Sequence, residues 1–393
     1  MGQAASTGGD GGDGAAGSPP VWADAVTARA FASAASEFGG PGFERARKGW
    51  GGAALDASGK RCMVLGADTA LGTALAEGLA ACGATVHLTA PTLPAAEGLR
   101  DELMEATGSE EIHAHACDLR RFRSIRELAS GFAIEFDSLD VLIHSAEQLP
   151  LEHRLGDDGV EAALALMLGG SFLLPALLLP HLAAEGGGQI IHVGSPELLM
   201  VDAPLIPLAA LQQRPVGHFD GVLHHARLKA LQQRLSVAWA ARLHTAADAS
   251  GGGRVRSNGM HCGWHEGSPA LRATPSLDGA PGGWVQQRRG RLRTCAQAAD
   301  TALWLATQPE GADDAPSGQM FFDRCARPTE LRPPKAAVEQ AVASAGDHAL
   351  WEWCEALCQC PCAPEKLLRA VPIRSERYKR PSASSIAASS RAM

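Results

Sequence analysis

The sequence predicts an α/β protein with a doubly wound, seven-stranded parallel sheet over residues 59–330. Short apolar segments alternate with longer amphipathic segments at a regular spacing, and a glycine-containing turn follows the first apolar segment. The 393 residues are 46% hydrophobic and 20% charged, which is typical of a folded globular chain and excludes disorder throughout. The chain has 35 basic and 43 acidic residues, and this net charge of −8 argues against a general nucleic-acid binder.

The predicted strands and helices alternate from residue 60 onward. The predicted strands begin with the short apolar run RCMVLG and continue with ATVHLT, EIHAHACD, DVLIHSA, GQIIHVGS, RVRSNGMH and SGQMFF. Each predicted helix is a longer run with an apolar face, and these runs span 75–82, 95–107, 125–136, 160–182, 221–243 and 296–307. Such alternation requires right-handed crossovers, so we expect a parallel sheet that is covered by helices on both faces.

The segment from Val160 to Leu182 has two interpretations. It carries one charge, Glu161, over 23 residues and is therefore long enough to span a bilayer. Two glycines and two prolines interrupt the segment, and strand–helix alternation continues on both sides, which favours a helix packed against the sheet. Part of its outer face would then be available for a dimer. We therefore expect a homo-oligomer or a larger protein assembly through these helices.

The segments outside the sheet have simpler patterns. Residues 1–20 are rich in glycine, alanine, serine and proline and are predicted to be disordered. Residues 21–58 contain a short helical pattern and a linker, residues 331–370 are predicted to form a helical extension, and residues 371–393 are predicted to be a basic disordered tail.

The N-terminal sequence bears on location. It matches the pattern for N-myristoylation, which makes Gly2 a lipidation candidate. A single myristoyl chain supports only weak, reversible membrane binding. The basic and apolar regions of a secretory leader are missing from this sequence. We therefore expect a cytoplasmic protein, with reduced cysteines and at most weak membrane association.

Two further residue clusters have alternative interpretations. Cys354, Cys358, Cys360 and Cys362 offer thiolates to a soft metal, but their spacing matches no familiar zinc module and Cys354 and Cys358 share a helix face with Trp351. Apolar packing is the favoured interpretation, so we predict no metal site. The basic run from Gln286 to Arg293 is predicted to be a solvated face rather than a phosphate site.

The first strand is followed by a turn suited to a diphosphate. Gly66 and Gly72 flank the turn, and the helix behind it directs backbone N–H groups and its dipole toward a ligand. Gly66, Asp68, Thr69, Leu71 and Gly72 are therefore candidate cofactor-binding residues. Glycine-rich turns of this kind are common in α/β proteins, so the turn alone is a weak signal.

The order of all these features resembles the short-chain dehydrogenase/reductase family, whose first turn has the pattern TGxxxGxG. The resemblance covers residues 59–330. It is strongest to the subgroup called dehydrogenase/reductase member twelve, through ATVHL, HACDL, the FDG at 219–221, MHCGW at 260–264, RLRTCAQAADTALWLA at 291–306 and SGQMFFDR at 317–324. The resemblance implies an NAD(P)-dependent oxidoreductase with a catalytic set of Asn, Ser, Tyr and Lys.

The catalytic set implied by the resemblance is only partly present. The serine corresponds to Ser195, and the lysine, which also holds the cofactor's ribose, corresponds to Lys229. The tyrosine position is occupied by His225 and the asparagine position by Met167. The family's NNAG segment corresponds to the segment from His144 to Glu147. The catalytic candidates are therefore Ser195, His225 and Lys229, with a neighbouring ammonium expected to lower the pKa of His225.

The cofactor preference stays open between NAD(H) and NADP(H). The residue after the second strand, which the resemblance assigns to the adenosine ribose, is Pro91 and has no charge. Asp68 would repel a 2′-phosphate. Asp118 matches the family's adenine contact, although an aspartate that caps the next helix is an equal alternative. The middle glycine of the family's turn is Ala70, whose methyl group would crowd a diphosphate.

Two functional hypotheses follow. One is an NAD(P)-dependent oxidoreductase acting on a carbonyl or secondary alcohol through Ser195, His225 and Lys229. The other, which we favour, is a relative that is weakly active or non-catalytic and serves as a cofactor-binding or scaffold subunit. The altered tetrad, the crowded turn and Pro91 favour the second hypothesis.

Overall fold

The computed structural model describes residues 37–368, except 53, 185–186, 202–205, 207, 216, 218, 251–253, 270, 272–290, 310–315 and 329–346. The predictions for residues 1–20, including Gly2, for most of the 21–58 segment, for the run 286–290 and for the tail 371–393 lie outside these described residues.

One eight-stranded sheet forms the centre of the protein. Its strand order is β3-β2-β1-β4-β5-β6-β7-β8. The strands are β1 (Arg61–Leu65), β2 (Thr85–Ala90), β3 (Ile112–Ala116), β4 (Val141–His144), β5 (Gln189–Gly194), β6 (Arg256–His261), β7 (Met320–Phe322) and β8 (Cys325–Arg327). The first seven strands are parallel, as the strand–helix alternation predicts, and β8 runs antiparallel to β7.

The prediction of seven strands is wrong by this one edge strand. Asp323 and Arg324 both adopt the left-handed conformation, with φ of 51° and 59°, and join β7 to β8 in a tight turn. Two left-handed central residues suit a two-residue hairpin, but asparagine and glycine are the residues that usually signal it. Here ion pairs with Arg293 and Asp300 stabilise the turn instead. Because those partners are distant in sequence, no local pattern announces β8.

Helices cover both faces of the sheet. They are α1 (Gly40–Arg47), α2 (Ala70–Ala81), α3 (Leu93–Thr107), α4 (Phe122–Glu135), α5 (Ala162–Leu168), α6 (Leu174–Leu182), α7 (Leu208–Gln212), α8 (Gly221–Ser250), α9 (Cys295–Ala306), α10 (Asp347–Cys358) and α11 (Pro364–Leu367). One apolar core lies between the sheet and α4, α5, α6 and α8, and a second lies between the sheet and α2, α3 and α9. This two-sided burial explains why the central strands β1, β4 and β5 are mostly apolar.

The apolar segment from Ala162 to Leu182 is one continuous helical run in which a π-helical segment, Gly169–Leu173, joins α5 to α6. By length and composition this run would be able to cross a membrane, but 83% of its most apolar window is buried inside the protein. A hydrogen bond from Ser171 to His144 at 2.7 Å joins the run to strand β4. The burial is typical of a core helix.

The C-terminal helices α10 and α11 pack over α6 and α8. Trp351 inserts between Phe172 and Trp239, with ring centroids 5.0 and 4.7 Å away, and the Arg242 guanidinium lies 4.2 Å from its ring centre. Cys354, Cys358 and Cys362 are buried in this core, and all ten cysteines of the chain are free. Among the described residues, no group of three His, Cys, Asp or Glu side chains is arranged to hold a metal ion. The extension therefore covers apolar surface of α6 and α8, and an oligomer through these helices stays a prediction.

Arg293 corrects the prediction of a solvated basic face. Arg291 is exposed, but the Arg293 side chain is only 2% exposed and forms a two-pronged ion pair with Asp323 at 2.6 and 2.9 Å. It also donates to the carbonyl oxygens of Glu37 and Phe38 at 3.0 and 2.9 Å. One buried arginine thus joins the segment before α1 to the β7–β8 turn.

Candidate functional site

The turn after β1 is closed by its own residues. Gly66 has φ of +75°, and an added Cβ would lie 2.5 Å from the Ala146 Cα, so the turn lies directly against the end of β4. Thr69 caps α2: its hydroxyl accepts from the Gly72 N–H at 3.0 Å and donates to the Gly66 carbonyl at 2.9 Å. A side chain at Gly72 would collide with the Gly66 carbonyl. The predicted turn is therefore formed, with no room for a side chain at Gly66 or Gly72 and with the N-terminus of α2 behind it; we call the turn from Gly66 to Gly72 the cradle.

Ala70 begins α2 and is exposed. An added Cβ on Gly267 would lie 2.7 Å from the Ala70 methyl, so the loop after β6 approaches the start of this helix. The Ala70 methyl thus lies beside the place where a diphosphate would approach the cradle.

Charged groups lie in the segments that follow β1 and β3. Arg120 binds both carboxylate oxygens of Asp118, at 2.9 and 3.0 Å. Nearby protein atoms displace water from Asp68 and raise the pKa of its carboxyl, while the charge of Arg120 acts in the opposite direction. The candidate adenine contact, Asp118, is thus already held by an arginine whose charge also reaches Asp68.

Ser195, His225 and Lys229 meet in one buried region. Ser195 follows β5, whereas His225 and Lys229 lie one turn apart on α8, and all three are at most 5% exposed. The Lys229 ammonium donates to the Val193 carbonyl at 2.9 Å. Burial, and secondly the charge of Lys229, lower the pKa of His225 to about 3. The expected effect of Lys229 is present, but burial is the larger cause and was not foreseen.

Two glutamates complete this region. Glu147 Oε2 lies 3.9 Å from the Lys229 ammonium and 4.0 Å from His225 Nε2. The second glutamate is Glu197. Burial raises the pKa of both carboxyls, and the nearby Ser195 and Trp264 side chains act against the rise at Glu197. We call Glu147, Glu197, His225 and Lys229 the buried charge cluster. It follows that the ammonium of Lys229 has carboxylate partners before any ligand arrives.

Met167, at the asparagine position, and His144, at the first position of the NNAG segment, have structural explanations. Met167 on α5 is 4% exposed and packs in the larger core, so it has no polar group to offer a proton relay. His144 is fully buried and shares hydrogen bonds with Ser171 at 2.7 Å and with Gln232 at 3.1 Å. Burial lowers the pKa of His144 well below its usual value. These two positions now serve packing and internal hydrogen bonding.

The residues present fit the diphosphate of a dinucleotide, whereas the lysine expected at its ribose already has a partner. The turn from Gly66 to Gly72 suits a diphosphate because it leads into the N-terminus of α2, although the N–H groups of Gly66, Thr69 and Gly72 already have acceptors within the protein. Lys229, which the resemblance assigns to the ribose, is instead engaged by Glu147. Sequence reasoning noted Glu147 only as the last residue of the NNAG counterpart and did not consider Glu197, which lies two residues after Ser195.

Comparisons with known proteins agree on one family. A model of the family described as short chain dehydrogenase matches residues 60–203. The chain is 32% identical over 307 residues to a Bos taurus protein named Dehydrogenase/reductase SDR family member 12, covering 77% of this chain and 89% of that protein. The Homo sapiens protein of the same name is 30% identical over 331 residues, covering 84% and 96%.

Solved structures agree on the fold. An uncharacterized protein from Mycobacterium paratuberculosis has a TM-score of 0.57 at 20% identity, covering 80% of this chain and 99% of that one. A gluconate 5-dehydrogenase from Burkholderia cenocepacia, solved with NADP and tartrate, has a TM-score of 0.50 at 21% identity, covering 68% and 94%.

Proposed function

The chain belongs to the short-chain dehydrogenase/reductase family, and from this premise we propose that it binds NAD(H) or NADP(H) without carrying out a tyrosine-dependent reaction efficiently. Its role would be that of a cofactor-binding or scaffold subunit that is weakly active or non-catalytic. The observation that carries this proposal is the buried charge cluster, in which Lys229 is engaged by Glu147 and the tyrosine position is a histidine with a pKa of about 3.

The cofactor-binding half of the proposal rests on the cradle. The backbone of Gly66, Asp68, Thr69, Leu71 and Gly72 would hold the diphosphate at the N-terminus of α2, with Asp118 and Lys229 further along the nucleotide. A bound nicotinamide would supply the hydride donor or acceptor. The preference between NAD(H) and NADP(H) stays open, because Pro91 has no charge and Arg120 is paired with Asp118.

The proposal of weak catalysis rests on the absence of an effective proton donor among His225 and Met167. A general acid works best when its pKa lies near the working pH, and His225 at about 3 is neutral and a poor donor near pH 7. Met167 offers no hydrogen bond to a relay. Ser195 remains as a group that would orient a carbonyl, but it lies beside the ionisable Glu197.

Substitutions at Ala70 test cofactor binding. In calorimetric titrations with NADH and NADPH, we expect Ala70→Gly to bind at least as tightly as the wild type, because the methyl beside the cradle is removed. We expect Ala70→Asp to bind at least tenfold more weakly, because its carboxylate repels the diphosphate. The same carboxylate suits the N-terminus of α2, so the melting temperature of Ala70→Asp should not fall. Failure of the wild type and Ala70→Gly to bind either nucleotide at millimolar concentration would contradict this function.

An active oxidoreductase is the second candidate, favoured by the survival of Ser195 and Lys229 in one buried region. NADH oxidation with a panel of aldehydes and ketones separates the two. On our proposal His225→Ala and His225→Tyr leave a low wild-type rate unchanged, because Met167 and Ala70 remain. A loss of about 100-fold or more in His225→Ala would establish His225 as the acid/base and favour the second candidate.

A further inference from the structure

The buried charge cluster contains more negative than positive groups. Lys229 is its cation, and Glu147 and Glu197 are its two carboxyls. The groups that face Glu147 are Lys229 and His225 from α8, Glu197 from the segment after β5, and Cys262 from the end of β6. Burial keeps His225 and the Cys262 thiol neutral near pH 7. With both carboxyls ionised, the cluster would hold one uncompensated buried charge, which is costly.

One carboxyl is therefore expected to take up a proton before the other as the pH falls, and the contacts indicate which one. The nearby Ser195 hydroxyl and Trp264 indole act against the rise in the pKa of Glu197 and so favour its ionised form. Glu147 has the ammonium of Lys229 at 3.9 Å, beyond hydrogen-bonding distance. Glu147 is thus the carboxyl that takes up the proton.

His225 is oriented to accept a hydrogen bond from the protonated carboxyl of Glu147. Its Nδ1 lies 3.4 Å from the Gln148 carbonyl, which can only accept, so the ring proton is assigned to Nδ1. The Nε2 lone pair is then directed into the cluster, is fully buried, and lies 4.0 Å from Glu147 Oε2. A small rotation of Glu147 toward His225 would form a hydrogen bond there and move the carboxyl away from Lys229.

We propose that Glu147 is a proton-operated gate on Lys229: the ammonium becomes free to donate to the hydroxyl groups of a bound nucleotide only when Glu147 has taken a proton from solvent and turned toward His225. Nucleotide binding is then coupled to the uptake of up to one proton. This inference rests on the proposed function, because it assigns Lys229 to the nucleotide. The ionised Glu147 competes with the nucleotide for the same cation.

Calorimetry measures this coupling directly. NADH and NADPH are titrated into the full chain between pH 6 and pH 8, in phosphate and in Tris, whose ionisation enthalpies differ. For the wild type we expect proton uptake of up to one per nucleotide and an affinity that falls by up to tenfold per pH unit as the pH rises. Glu147→Gln has the same shape and no charge, and Glu197 remains as a partner of Lys229. We expect this variant to show no proton uptake, pH-independent affinity and at least tenfold tighter binding at pH 8.

A control variant checks the specificity of these effects, and different results would overturn the gate alone or the proposed function with it. Glu152→Gln changes an exposed glutamate in the nearby loop and should behave like the wild type. Glu147→Gly, which restores the residue of the family pattern, should match Glu147→Gln and guards against an effect of the amide. Wild-type binding without proton uptake, or equal pH dependence in Glu147→Gln, would overturn the gate and leave the proposed function intact. Absence of binding in the wild type, Ala70→Gly and Glu147→Gln alike would overturn both.

Discussion

Replacing Arg293 with alanine is expected to destabilise the protein by about 3 to 5 kcal/mol, because it leaves the Asp323 carboxylate buried without its partner. The guanidinium also donates to the Phe38 carbonyl and lies 4.5 Å from the ring centre of Phe322. A total stability of about 5 to 15 kcal/mol is usual, so this one substitution would remove a large fraction. Urea unfolding followed by circular dichroism measures the loss.

Matched variants separate the effect of losing the ion pair on stability from the effect of losing the packing of the arginine side chain. Arg291→Ala, at an exposed position two residues earlier, should change stability by no more than about 0.5 kcal/mol. Adding Asp323→Asn to Arg293→Met should recover part of the loss, because the uncompensated charge is removed. A cost below about 1 kcal/mol for Arg293→Ala would show that this pair does not hold the segment before α1 to the sheet.

Acid is expected to unfold the protein well above the usual pKa of its carboxylates. His192, His225 and His261 are at most 2% exposed, and burial lowers the pKa of each to about 3. An unfolded histidine titrates near 6.5, so below that pH the unfolded chain gains protons that the folded chain does not. Stability therefore falls as the pH drops from about 6.5 toward 3.

The size of this effect follows from the linkage relation. Each of the three histidines contributes a loss of about 1.4 kcal/mol per pH unit, or about 2 kcal/mol at pH 5. Glu147 and Glu197 act in the opposite direction, because burial raises their pKa and the folded state takes up protons first. The three histidines outnumber the two glutamates, so we expect the melting temperature to fall steeply below pH 6.5 and the chain to unfold near pH 5.

One substitution isolates a single histidine. His261 stacks on Phe322 at 4.0 Å and meets the edge of Phe38 at 5.2 Å, so phenylalanine suits the same apolar space. We expect His261→Phe to gain about 2 kcal/mol relative to the wild type when stability at pH 5 is compared with pH 7.5. His348→Gln, at an exposed position, serves as the control. An unchanged difference between the two pH values in His261→Phe would contradict the assignment.

Local patterns in the sequence were sufficient for the architecture. The alternation of apolar runs predicted the parallel sheet, because the periodicity of a strand or helix depends on residues close together in the chain. The same holds for part of the turn after β1: a side chain at Gly72 would meet the Gly66 carbonyl, and Thr69 caps a helix that begins at the next residue. The family resemblance located Ser195, His225 and Lys229 for the same reason, since each belongs to a short motif.

Only the tertiary structure decided the burial of these residues and the charges that lie beside them. Glu147 and Glu197 come from different segments and meet Lys229 because the ends of β4 and β5 lie side by side. The left-handed turn before β8 depends on Arg293, 30 residues earlier in the chain. Burial, charge neighbours and pKa shifts depend on which segments pack together. A sequence motif therefore identifies a functional position, whereas the chemistry available at that position is set by residues that no local pattern connects to it.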